Sequence, residues 1–324
     1  MKNLDLLDKK ILYELDINAR QPITRLAKKI GKSRNVIEYR IKRLQEKGII
    51  KNFITFLDAG KLGLTIWNVY VEFQNMTSET EKEIVKYLEK DKKVWWIALP
   101  TGRWNLIYSI LVKNIKEFYS TVRDFNSKYG HYILNQSLAA HVEVEIFSRG
   151  YFLEKPAIGI TWYKKFDPVK LSDIDIKILK EISTNARLSS VDLANKLNLT
   201  ARIVSYRIKD LVKKGIITRF RLHLDVSKFG YGYYKIVVHV RNMSKENDKK
   251  LMEYCKQLGN VIHYEKKIGP WMLEIEIDSE SYEQVNETMK LMKEKFPEYI
   301  KSYEIMLINN EPKGELDLIH YMGV

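Results

Sequence analysis

The chain repeats itself at an offset of 167 residues, and that repeat limits its folds to those built from two like halves. Leu4, Asp8, Ile11 and Leu12 fall on Leu171, Asp175, Ile178 and Leu179, and Asn18-Ala19-Arg20 on Asn185-Ala186-Arg187. Tyr39-Arg40-Ile41-Lys42 falls on Tyr206-Arg207-Ile208-Lys209, and Lys47-Gly48-Ile49-Ile50 on Lys214-Gly215-Ile216-Ile217. From Leu4 to Leu64, 26 of 61 aligned pairs are identical without a gap. The offset persists where the halves diverge, with Asn75-Met76 over Asn242-Met243 and Gly102-Arg103-Trp104 over Gly269-Pro270-Trp271. Solenoid repeats have periods of about 20–50 residues, so this period denotes a two-domain protein fused head to tail to its own copy. The boundaries expected are 1–62 and 63–153 for the first copy, a linker at 154–168 broken by proline and glycine, then 169–229 and 230–324.

Each copy opens on a helical stripe, Leu7, Ile11, Leu12 and Leu15 in the first, behind an acidic start at Asp5 and Asp8. A short helix from Thr24 to Ile30 is followed by the turn Gly31-Lys32. Ser33 then stands where an N-cap is needed for a longer helix reaching Lys47. Gly48 stops that helix, and the β-rich stretch Ile49–Leu57 follows. Helix, helix, turn, helix and strand is the layout of a winged helix-turn-helix. On the third helix, Val36, Ile37, Ile41 and Leu44 form the face expected to be buried; Ile203, Val204, Ile208 and Leu211 do so in the second copy.

The opposite face is the candidate DNA surface. In the first copy it carries Ser33, Arg34, Asn35, Glu38, Tyr39 and Lys42, with Arg40 and Arg43 beside them. In the second it carries Thr200, Arg202, Ser205, Tyr206 and Lys209, with Arg207. Residues near the start of such a helix reach base edges, and those further along neutralise phosphates. Charge supports this assignment. The net charge of +14 lies entirely in two segments, +8 in residues 1–62 and +6 in residues 166–229, while the remaining 27 basic and 27 acidic residues cancel. Generic lysine richness would spread the excess; counterion-releasing contact with double-stranded DNA requires it to be concentrated.

The later part of each copy alternates in the order strand, helix, strand, strand, helix, strand. The elements expected are Ile66–Gln74, Ser78–Lys90, Val94–Leu99, Trp104–Val112, Ile115–Tyr129 and Tyr132–Phe147, with counterparts from Tyr234 to Ile308. This βαββαβ order is ferredoxin-like, so the fold class is α+β, with two winged helix-turn-helix domains each followed by a βαββαβ domain. Helices cover one face of such a sheet. The other face needs a second sheet, so the two copies should pair or the chain should self-associate.

Leu-x-x-Asp-x-x-Ile-Leu at Leu171–Leu179, Asn-Ala-Arg, Leu26-Ala27-x-Lys29, the Arg-Ile-Lys-x-Leu core of the third helix and Lys-Gly-Ile-Ile together resemble the Lrp/AsnC regulators. The resemblance covers both helix-turn-helix segments in detail and the βαββαβ halves, termed RAM-type in that family, by pattern. It implies a transcription regulator that dimerises through its α/β domains and often takes a small-molecule effector there. A family loop of the form Gly-x-x-Asp lies beside that effector, which makes Gly102, Asn105 and Gly269 the candidate effector-binding positions. The acidic residue is missing from both copies, with Asn105 in its place in one and Met272 in the other, so the usual contacts are incomplete.

A rival comes from another class. Siroheme decarboxylases resemble the same duplicated unit, and a tetrapyrrole enzyme would need histidine, arginine or tyrosine groups around a pocket. His263-Tyr264, with His131, His141 and His239, are the candidates, and the first copy has Trp96-Ile97 at the aligned site. A third reading is an interaction scaffold with DNA affinity lost in the second copy, where Ala201 and Ser205 replace Arg34 and Glu38. The regulator reading carries the expectations of no enzymatic activity, no cofactor and no bound metal. With one cysteine, no apolar h-region at the start and no run of about 18 apolar residues, a cytoplasmic location and no membrane partner are expected.

Overall fold

The structure is a computed structural model that describes residues 1–242, 244–314 and 318–322. Met243, part of the aligned pair noted above, lies outside the described residues, but Asn75 and Asn242 share a left-handed turn, with φ of 54° and 51°.

The first domain forms α1 (Leu6–Ile17), α2 (Ile23–Ile30), α3 (Arg34–Glu46) and β1 (Ile50–Leu57). Asp5 and Asp8 close a capping box on α1, and Ser33 caps α3 by accepting from the Val36 amide; such caps contribute about 1 kcal/mol each. Gly31 and Gly48 end α2 and α3 at φ of 72° and 69°, conformations that a side chain would strain. Ile11, Leu12, Leu15, Leu26, Ile37 and Leu44 are fully buried between the helices. Val36, expected on that buried face, is 38% exposed, and its counterpart Ile203 is 41% exposed. The stretch 31–36 is exposed throughout, so the first turn of α3 stands clear of the three-helix core.

The chain continues through β2 (Thr65–Phe73), α4 (Ser78–Lys90), β3 (Val94–Thr101), β4 (Leu106–Val112), α5 (Ile115–Tyr129) and β5 (Ile133–Phe147). The segment expected to be an irregular linker instead contains β6 (Gly159–Tyr163), paired antiparallel to the end of β5. Pro156 precedes that strand and withdraws no amide from its ladder, and Trp162 anchors it by donating Nε1–H to the Leu57 carbonyl at 2.7 Å. The second copy supplies α6 (Asp173–Ser183), α7 (Ser190–Leu197), α8 (Ala201–Lys213) and β7 (Ile217–Leu224). It then supplies β8 (Gly232–Val240), α9 (Lys245–Leu258), β9 (Val261–Ile268), β10 (Leu273–Ser279), α10 (Tyr282–Lys295) and β11 (Ile300–Gly314). Most of these bounds lie 167 residues from their partners.

The two copies interlock at two levels. First, β1 and β7 pair antiparallel, with Phe53 opposite Leu222 and Thr55 opposite Phe220. Each strand also binds the other copy's helices: the Ala19 amide donates to the Phe220 carbonyl and the Ala186 amide to that of Phe53. Arg20 donates to the Ala186 carbonyl at 2.5 Å and Arg187 to the Ala19 carbonyl at 2.6 Å, which gives the repeated Asn-Ala-Arg its structural task. Second, the two βαββαβ sheets join at both edges. β5 hands over from β2 to β9 near Ala140, and β11 from β8 to β3 near Leu307. The circuit β2-β4-β3-β11-β8-β10-β9-β5 returns to β2, a closed eight-stranded barrel with no open edge in that circuit. Helices α4 and α5 cover the outside of one half, where Phe125 of α5 packs with Val69 and Tyr108, and α9 and α10 cover the other, where Met289 of α10 packs with Ile236 and Tyr264. Part of the interior is apolar, built on Tyr70, Trp104, Ile107, Val237 and Trp271.

Candidate nucleic-acid interface and an adjoining cleft

The outward faces of α3 and α8 are open. Arg34, Asn35, Tyr39 and Lys42 are exposed, as are Arg202, Tyr206 and Lys209; Tyr39 and Tyr206 expose 64% and 65% of their surface. Arg34 pairs with Glu38 one turn on, at 2.8 Å, on a face where the second copy has Ala201 and Ser205. The Ser205 hydroxyl instead lies 3.0 Å from that of Ser190, and Thr200 caps α8 as Ser33 caps α3. Three arginines assigned to the DNA face from sequence have other partners. Arg40 bonds Asp5 at 2.5 Å and Asp8 at 3.1 Å, Arg43 bonds Asp8 at 2.8 Å, and Arg207 lies 3.7 Å from Asp175. Asp8 is fully buried, so these arginines clamp each third helix to the N-terminus of its first helix and are tied up by that task.

A cleft with a cavity volume of about 180 Å³ opens where the β1–β7 ribbon crosses the barrel. The ribbon contributes Ile54, Phe56, Arg221 and His223; the barrel contributes Lys235, His263 and Glu276. Aromatic walls flank them: Trp162 meets Phe56 edge-on with centroids 5.6 Å apart and Trp95 at 6.0 Å, and Trp96 donates to Glu311 at 2.7 Å. Of the histidines singled out from sequence, His141 and His263 line this cleft with His223, while His131 and His239 do not.

The barrel floor below the cleft is charged. Lys235 reaches Glu276 at 2.6 Å, Glu274 at 2.8 Å and Glu265 at 3.3 Å; Lys267 reaches Glu265 at 2.9 Å and Glu274 at 3.2 Å. Burial alone would lower the Lys235 pKa, but its three carboxylates outweigh burial and hold it well above the usual lysine value. Tyr70 and Trp271 each donate to Glu274, at 2.6 and 2.7 Å. His141 is fully enclosed: burial, then the neighbouring Lys267 ammonium, pushes its pKa down to about 3. Its ring is therefore neutral, and Lys267 donates to Nε2 at 2.6 Å. His263 bonds Glu276 through Nδ1, and its Nε2 is buried without a hydrogen-bond partner. Ligand atoms of His263, Glu265 and Glu276 lie within 4.8 Å of one another, a grouping that sequence spacing did not reveal. The Lys235 ammonium already serves as the cation for both of those carboxylates.

These charges belong to one copy. Lys235, Glu265, Lys267, Glu274 and Glu276 align with Asn68, Ala98, Pro100, Ile107 and Ser109. The candidate effector positions lie elsewhere. Gly102 is at φ 136° in the β3–β4 turn, and Asn105 accepts from the Phe73 amide at 2.8 Å. A Cβ on Gly269 would come within 2.6 Å of the Leu138 carbonyl, so close backbone approach explains that glycine. These turns fold Trp104 and Trp271 into the barrel, and none of the three positions lines the cleft. Among the described residues no helix is long and apolar enough to cross a membrane.

A winged helix-turn-helix DNA-binding family matches the chain twice, at residues 4–51 and 171–218. An HTH-type transcriptional regulator of Pyrococcus abyssi is 34% identical over 115 residues, covering 35% of this chain and 77% of the relative. The LrpC regulator of Bacillus subtilis is 31% identical over 120 residues, 37% of this chain and 81% of LrpC. The regulatory protein AsnC of Haemophilus influenzae is 29% identical over 122 residues, covering 38% and 81%. Among solved structures, the siroheme decarboxylase NirDL superposes on 98% of this chain and 97% of its own, with a TM-score of 0.65 and 13% identity. A structure of NirDL with an iron-uroporphyrin III analogue gives 0.63 at 14% identity. At that identity the likeness is one of fold. It nevertheless corrects the expectation that the chain has no enzymatic activity, because the fold shared along its whole length is one that an enzyme uses.

Proposed function

The chain belongs to the Lrp/AsnC family of winged helix-turn-helix transcription regulators, and from that premise we propose that it binds DNA as a covalent pseudo-dimer reading an imperfect palindrome. One observation carries this reading: all the net positive charge lies in the two helix-turn-helix segments, whose third helices expose Arg34, Asn35, Lys42, Arg202 and Lys209. The ribbon and the Arg20 and Arg187 bonds tie the two domains together, which suits two half-sites at fixed spacing. The half-sites should differ because the base-reaching positions do: Arg34, Asn35 and Glu38 face Ala201, Arg202 and Ser205. Selection from random duplexes should therefore return unequal half-sites. Arg34→Ala should relax preference in one half-site, whereas Lys42→Ala should weaken all sites alike and reduce the salt slope by about one. Recovery of a perfect palindrome, or no enrichment, counts against the proposal.

The cleft favours a second reading, compatible with the first. Aromatic walls beside arginines and histidines suit a flat ring carrying carboxylates. The fold neighbour is a siroheme decarboxylase and has been seen with an iron-uroporphyrin analogue. On this reading the cleft takes a tetrapyrrole and decarboxylates a side chain of it, with His263 and its free Nε2 placed to handle the proton. Titration with iron-uroporphyrin III should shift its visible spectrum with one-to-one stoichiometry, and Trp96→Ala should weaken binding by tenfold or more. An unchanged spectrum at micromolar protein sinks this second reading and leaves the first intact.

A further inference from the structure

The wall of the cleft nearest the first helix-turn-helix domain holds an ion network that joins four parts of the molecule. Asp16, fully buried in the last turn of α1, receives Arg221 of β7 at 2.8 Å. It also receives Arg149, of the segment after β5, through both the backbone amide at 2.8 Å and the guanidinium at 3.0 Å. Arg149 continues to Asp278 at the end of β10, at 2.8 Å, and Tyr151 donates to the same carboxylate at 2.9 Å. Arg149, Arg221 and Asp278 all line the cleft.

The repeat is broken here on one side only. Asp16, Arg221 and Asp278 align with Ser183, Ile54 and Leu111, and Ile54 and Leu111 pack in an apolar cluster with Trp95 and Trp162. A packing role would have been met by that apolar solution, which the chain already contains. The charges are also unequal. Arg219 stands beside Arg149 and Arg221 and is buried, yet it reaches only the carbonyls of Ile17 and Ile158, each at 3.4 Å. Arg149 and Arg221 are the guanidiniums that line the cleft, with Asp278 beside them, while Asp16 and Arg219 lie behind that lining and Glu265, Glu276 and Glu311 stand toward the barrel. A ligand bearing carboxylates gains most by turning them toward Arg149 and Arg221, where they compete directly with Asp16.

We propose that the Asp16–Arg149–Arg221–Asp278 network couples the cleft to DNA: an acidic planar ligand displaces Asp16 from the two arginines, loosens α1 from the barrel and weakens DNA binding. The proposal rests on both readings above. In one state the arginines hold Asp16, and in the other they hold the ligand, so the ligand has the differential contact that a shift between states requires.

The test uses the full chain, iron-uroporphyrin III as probe and the duplex recovered by selection. Saturating probe should raise the Kd for DNA at least fivefold, and saturating DNA should raise the Kd for the probe by the same factor. In Asp16→Asn, which keeps the shape but removes the charge, DNA affinity should fall without probe, probe affinity should rise, and the coupling should shrink to within twofold. Should that variant not fold, Tyr151→Phe, which removes one donor from Asp278, should reduce the coupling measurably. Probe binding with DNA affinity changed less than twofold, or undiminished coupling in the variants that fold, overturns the coupling while sparing the tetrapyrrole reading. A chain that binds no probe overturns both, and one that binds probe but no DNA overturns the coupling and the DNA reading together.

Discussion

Replacing Lys235 with methionine is expected to lower the stability of the folded chain by about 3–5 kcal/mol at pH 8, the usual cost of removing one partner from a buried ionic cluster. Glu265, Glu274 and Glu276 are all buried, and Lys235 and Lys267 are the ammonium groups that touch them. Methionine preserves much of the volume, so the loss reports charge more than packing. The pH dependence distinguishes the two. Without Lys235 the carboxylates lose their principal counter-charge and their folded-state pKa values rise above the unfolded value of about 4.3. A group with a raised folded pKa contributes stability that is present at low pH and lost as pH rises through that pKa. The deficit of the variant relative to the parent should therefore shrink as pH falls from 8 to 5, as one carboxyl takes up a proton. Urea midpoints followed by tryptophan fluorescence measure this directly, since Trp271 donates to Glu274 itself. A deficit that stays constant across that range assigns the loss to packing and removes the charge argument.

That cluster also marks where the sequence stops being readable. The helix-turn-helix domains were legible because their signals are local: an N-cap, a helical stripe, a stop glycine, and the same set again 167 residues on. The βαββαβ order was legible for the same reason. The barrel floor was not. β10 reads Leu273-Glu274-Ile275-Glu276-Ile277-Asp278, and alternation of that kind ordinarily marks a strand with one face in water. Closure of the second sheet turns the polar face inward, and period two cannot distinguish solvent from a polar interior. The repeat held a usable signal, because Ile107 and Leu111 align with Glu274 and Asp278, and such apolar residues point to an enclosed face. Arg40 and Arg207 were placed on the DNA face from sequence, although the repeat held a signal for their clamping role too. Asp8 and Arg40 are both kept in the second copy, as Asp175 and Arg207, so the pair that joins the helices is repeated, whereas Arg34 and Asn35 differ between copies and are exposed. β6 was misread because Pro156 and Gly159 suggested a loop, whereas its pairing depends on an edge of β5 created only by the closed barrel.

Acid should destabilise the chain in two separable steps, and the first begins unusually high. Burial, with Lys267 second, holds His141 at about 3, and burial, with Lys51 second, holds His223 at about 4. In the unfolded chain both titrate near 6.5. Between those values the unfolded state binds more protons than the folded one, so stability falls as pH falls, starting near 6.5. At pH 5 each histidine accounts for about 2 kcal/mol of loss relative to pH 8. The second step involves Asp16 and Glu265. Burial would raise both, but Arg221 and Arg149 for Asp16, and Lys235 and Lys267 for Glu265, override it and bring each down to about 2. A depressed carboxyl contributes stability that is present above its unfolded pKa of about 4 and is lost as pH falls toward 2. The two steps are tested by separate variants. His141→Gln, which keeps a neutral acceptor, should flatten the profile between pH 6.5 and 5 by about 2 kcal/mol and leave the loss below pH 4 in place. Asp16→Asn should do the reverse. A parent profile that is flat from pH 7 to 5 requires His141 to accept a proton in the folded state. That is incompatible with Lys267 donating to its Nε2, and would mean that the cleft floor is rebuilt as it titrates.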